Sequence, residues 1–113
     1  MIKHKVVLSA FPFDDFSSTK VRPAVCLTGP IGSYHHVVLA FITSRISAEL
    51  LPTDLIIDEH DSGFADTGLR VSSTLQLHRL MTPSTSLIRR EIGTLPMSMQ
   101  AQVNERLRNL FDL

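Results

Sequence analysis

Apolar residues alternate with polar ones, or run together in short blocks, until close to the C-terminus, where the period lengthens. "KHKVVLSAF" predicts a first strand, and "FPFDDFSSTK" after it has the Pro, Asp and Ser content of a loop. "RPAVCLTG" predicts a second strand, opened by Pro23 and closed by Gly29 and Pro30. "YHHVVLAFITS" is a third, apolar enough to be covered on both faces, and "TDLIID" is a shorter fourth. A polar loop, residues 59–68, precedes the strand-like "LRVSSTLQLHRLM"; "TPSTS" breaks that pattern before a last strand, "LIRREIG". In the tail, Met99, Val103, Leu107, Leu110 and Phe111 recur three or four apart, which predicts an amphipathic helix with Pro96 in its first turn. The pattern is mainly β with a C-terminal helix, and it predicts a small antiparallel barrel or sandwich closed on one side by that helix.

At 113 residues the chain has room for one core, so residues 1–113 are read as a single domain. Apolar residues make up 43% and charged residues 19%, a globular balance. No apolar run is long enough for a membrane span, and no targeting signal is evident, which predicts a cytoplasmic protein with no membrane partner. One cysteine, Cys26, excludes an internal disulfide and a Cys-rich zinc site, and its setting predicts a small buried strand residue. Eleven basic residues balance eleven acidic ones, so any anion-binding face must be local.

Most catalytic signatures are missing: there is no phosphate loop, nucleophile elbow or metal-spaced His/Cys set. His35 and His36 are neighbours and on a strand would face opposite ways. Asp58, Glu59, Asp61 and Asp66 match no calcium loop and read as a solvated turn. Arg22 stands out, because Pro23 fixes the backbone beside it and sends the guanidinium from a rigid element, as a phosphate clamp requires. An edge arginine reaching into water has the same sequence appearance. Thr43 and Ser44 end the third strand, where hydroxyls serve as turn caps or as donors to a ligand.

Taken together, "VVLSAFPFDDFSSTKVRPAVCLT", "VVLAFITSRI" and "GLRVSSTLQLHRLMTPSTSLIRREIGTLP" resemble the PemK/MazF/Kid toxins of bacterial toxin–antitoxin pairs. The likeness lies in the Phe-Pro-Phe-x-Asp loop, the Lys-x-Arg-Pro-Ala strand entry and the Ile-Thr-Ser strand ending, and it spans most of the chain in order. It implies an SH3-like β-barrel with a C-terminal helix, a homodimer, and metal-independent, sequence-selective cleavage of single-stranded RNA such as messenger RNA, without a cofactor. It also implies a cognate antitoxin as partner.

Carried over by motif, Arg22 would meet the scissile phosphate and Thr43 would sit beside it, with Ser44 as a neighbour. Family members often carry a carboxylate in the segment matching "LQLHRLMT"; the position aligned with it here holds His78, a residue able to act as acid or base at neutral pH. Lys20 and Arg79 are the candidates for flanking phosphates. The usual Gly-Asp ahead of the first strand is replaced by "KHK". Fold alone leaves two other functions open. One is a toxin resembling CcdB that binds DNA gyrase without catalysis. The other is a degenerate member that binds RNA or antitoxin without cleaving.

Overall fold

The computed structural model describes residues 2–12 and 19–113, with side chains for residues 2–10 and 20–113. The connection expected over residues 11–20 falls mostly outside them. Six strands form one antiparallel sheet: β1 (Lys5–Pro12), β2 (Thr19–Cys26), β3 (Leu39–Thr43), β4 (Asp54–Ile57), β5 (Ser73–Met81) and β6 (Ile88–Thr94). Their order across the sheet is β4-β5-β3-β2-β1-β6. Helix α1 (Met97–Phe111) follows, as the lengthening of the apolar period requires. The sheet is open, with β4 and β6 at its edges, so "barrel" describes its curvature only loosely.

Both faces of the sheet are covered, which explains the dense apolar runs. On one face, Leu95, Met99 and Val103 lead the helix into a cluster with Val6, Ile57 and Leu75. On the other, Val7, Ala24, Cys26, Val37 and Leu39 pack together. Alternation along β1 sends Val6 to the first cluster and Val7 to the second. Cys26 is fully buried, and burial, aided by the charge of Glu91, pushes its thiol up to about 11, so it is an inert filler.

Several boundaries differ from the sequence pattern. The third strand begins at Leu39 and not at Tyr34, because Gly32 (φ 72°) and His35 (φ 54°) take left-handed conformations and close a turn from His35 N–H to the Gly32 carbonyl. His35 and His36 therefore belong to that turn and its bridge to Ser84, and not to a strand. β5 begins at Ser73, and the helix starts one residue after Pro96, which stands at its N-cap. Phe111, expected on the apolar stripe, is exposed at the last turn of the helix.

The most consequential difference concerns Pro23. Instead of opening β2 it sits inside it, opposite Leu8 of β1. The ladder between β2 and β3 begins only at Ala24, so residues 19–23 pair with β1 alone. A residue without an N–H is placed where the neighbouring strand has left, and beyond it the two strands part.

Candidate active site

Beside Arg22, where β2 and β3 part, lies a cavity of about 370 Å³. Arg22 borders it from β2, while Phe41, Ile42 and Thr43 border it from β3. Arg45 adds to it from the loop after β3, and Gln76 and Arg79 from β5. Arg22 is opposite Ser9 of β1, whose buried hydroxyl donates to the Leu87 carbonyl at 3.2 Å, so the strand behind Arg22 is tied to the turn before β6.

Thr43 is the last residue of β3, and its hydroxyl oxygen accepts the Arg45 N–H at 3.2 Å. That bond fixes the side-chain rotamer and leaves the hydroxyl proton for another acceptor. Across the ladder, the Thr74 hydroxyl donates to the Arg45 carbonyl at 3.2 Å. The Arg79 guanidinium lies 5.2 Å from the centroid of the Phe41 ring. Three arginines thus line one cavity, and the described lining residues contain no carboxylate. The neutral total conceals this face: the acids near residues 58–66 lie in a turn, where Asp58 accepts the His60 N–H and Glu59 the Ser72 N–H.

Of the residues singled out in the sequence, Arg22, Thr43 and Arg79 are brought together. Lys20 is exposed two residues before Arg22, and Ser44 is exposed just past Thr43; neither lines the cavity. His78 is also elsewhere. It is exposed, and its Nδ1 shares a 2.8 Å hydrogen bond with the Thr53 hydroxyl on the approach to β4. The cause is an irregularity in the β3–β5 ladder. Phe41 pairs with Gln76 but Ala40 pairs with Leu80, leaving Leu77, His78 and Arg79 between the two pairs. Parity is lost there, so Gln76 and Arg79 share the cavity while His78 is directed away. Gln76, Arg45 and Phe41 were not singled out by the sequence; only the register and the anchored loop reveal them.

Residues 3–111 match the family of PemK-like, MazF-like toxins of type II toxin–antitoxin systems. Among solved structures, the Mycobacterium tuberculosis toxin MazF-mt6 is similar, at 25% identity over 96% of this chain and 97% of that one, with a TM-score of 0.73. An endoribonuclease in complex with its cognate antitoxin from a mycobacterial species shares the fold at 13% identity, over 100% of this chain and 96% of that one, with a TM-score of 0.73. MazF from Deinococcus radiodurans does so at 19% identity, over 100% and 97% of the two chains, with a TM-score of 0.71. No match to a curated protein was found. The match over nearly its whole length and the shared fold make this chain a member of the PemK-like, MazF-like toxin family of type II toxin–antitoxin systems.

Proposed function

We propose that the chain is an endoribonuclease toxin that cleaves single-stranded RNA in the cavity between β2 and β3, and that a cognate antitoxin neutralises it. The observation that carries this reading is the convergence of Arg22, Arg45 and Arg79 on one cavity beside an oriented threonine. Such a site attracts a polyanion and stabilises extra negative charge on phosphorus. In the reaction, the ribose 2′-hydroxyl gives its proton to solvent water as its oxygen bonds to phosphorus, the P–O5′ bond breaks, and the leaving 5′-oxygen takes a proton from water, giving a 2′,3′-cyclic phosphate and a 5′-hydroxyl. Arg22, presented from inside β2 beside Pro23, holds the phosphoryl oxygens through a planar fork. Thr43 donates a hydrogen bond from its hydroxyl to the same group.

Metal independence belongs to the proposal. Cleavage in the presence of EDTA tests it. Selectivity among RNA sequences follows from how unstacked bases fit against the cavity walls. The fold of an endoribonuclease bound to its antitoxin supports the partner, and the edges of β4 and β6, which pair with no further strand among the described residues, give a homodimer surfaces to use. Among the described residues no helix is long and apolar enough to cross a membrane, and the proposed place of action is the cytoplasm, where messenger RNA is found. The Arg-lined cavity favours cleavage over gyrase binding, which has no use for a phosphate clamp.

Incubating the purified protein with a long single-stranded RNA in EDTA tests the reading. Discrete fragments ending in cyclic phosphates are expected. Intact RNA from folded protein would contradict it.

A further inference from the structure

A second cavity, of about 600 Å³, adjoins the first and shares Thr43, Arg45, Gln76 and Arg79 with it. It adds Ile46 and Ser47, and Arg22 does not line it. Its size is that of a small-molecule site. Arg45 stands at the junction of the two, and its backbone is held from both sides. Its N–H donates to the Thr43 hydroxyl and its carbonyl accepts from the Thr74 hydroxyl, each at 3.2 Å. Thr74 is buried, and its strand partner is Thr43 itself. A loop arginine is ordinarily free to wander; this one leaves the chain from a fixed point next to the residue proposed to touch the scissile phosphate.

We infer that the second cavity is a subsite for the nucleotide next to the scissile phosphate, and that Arg45 grips that nucleotide's own phosphate. The guanidinium supplies a bidentate donor for the phosphate, and the half-exposed Ile46 offers an apolar rest for the base. Thr43 and Thr74 position Arg45, so the two subsites are held at one spacing by a single pair of cross-strand threonines. The inference rests on reading the cavity between β2 and β3 as an RNA site.

The test uses the full chain and a single-stranded RNA oligonucleotide of the cleaved sequence, blocked by one 2′-deoxy sugar at the cleavage point. Binding is followed by fluorescence anisotropy, with a neutral methylphosphonate replacing each flanking phosphate in turn. At one flanking position, neutralisation and Arg45→Ala should each weaken binding about tenfold, and the two together should weaken it no further. Arg45→Ala should also reduce the slope of log affinity against log salt by about 0.7, the value for one single-strand phosphate contact. Arg45→Lys should recover only part of the loss. Thr74→Val should mimic a fraction of the Arg45→Ala effect, and Thr74→Ser should restore it. Losses that multiply at every position, or an unchanged salt slope, would overturn the subsite while leaving the cleavage reading intact. Wild-type protein that neither cleaves the RNA nor binds the oligonucleotide would overturn both.

Discussion

The guanidinium of Arg79 lies over the ring of Phe41, 5.2 Å from its centroid, with Phe41 on β3 and Arg79 on β5. The ring holds a flexible cation against the cavity wall before any ligand arrives. Phe41→Leu keeps apolar volume but removes the quadrupole that orients the cation. Affinity for single-stranded RNA should fall about fivefold, as expected for a contact of roughly 1 kcal/mol, and the thermal midpoint should drop by only a few degrees, since Phe41 packs on the second cluster from its partly exposed side. Titration of labelled RNA and a thermal melt on the same sample check both parts.

His78 gives a contrasting expectation. Its ring is bonded to Thr53 and lies outside the cavity. His78→Ala should leave the pH dependence of cleavage unchanged and lower the rate less than about threefold. A pH–rate profile that loses one limb in the variant would return this histidine to the reaction.

His4 links stability to pH. Burial first, and the neighbouring Lys3 ammonium second, hold its imidazole below the ordinary 6.5. Its backbone is left-handed at φ 71°, and its Nδ1 is buried without a partner among the described residues. The unfolded chain therefore takes up this proton at higher pH than the folded one. The stabilising contribution is complete above the unfolded value, declines as the pH falls through 6.5, and levels off below the folded value. His4→Asn tolerates the left-handed backbone and removes the titration. Thermal midpoints between about pH 8 and about pH 5 should fall less in the variant than in the wild type.

Gly68 secures the turn before β5 against β6. It has φ 73°, and a Cβ there would run into the Ile92 carbonyl. Gly68→Ala should cost about 2 kcal/mol or more, lowering the thermal midpoint by roughly 10 °C. Gly29 has open space around it, so Gly29→Ala is the control that should leave the midpoint nearly unchanged.

The strands and the helix were legible because their periods differ and because turn residues punctuate them. Val6 and Val7 illustrate how far alternation carries: adjacent in sequence, they enter opposite clusters. The start of β3 was misread because "YHHVV" has strand composition, while two left-handed residues, Gly32 and His35, decide the backbone. Pro23 was rightly singled out, but as a strand opener; its role as the point where β2 and β3 part depends on pairing that composition does not encode.

The site was legible in part for a similar reason. Arg22 and Thr43 sit beside strong local markers, a proline and a strand end. Strict alternation along "STLQLHRLM" groups Gln76 with His78, whereas the ladder irregularity groups Gln76 with Arg79. No glycine or proline marks that irregularity. Arg45 looks like any loop arginine until Thr74, distant in sequence, is seen to hold its carbonyl.

Arg22 is proposed to act on the scissile phosphate from inside β2, where that strand parts from β3. Comparing wild type with Arg22→Ala on the same long RNA in EDTA, with fragment ends mapped and folding verified by circular dichroism, tests it most directly. Discrete cyclic-phosphate ends from the wild type, and a rate at least about a hundredfold lower from the folded variant, are the predicted result. Equal cleavage by the two proteins would contradict it.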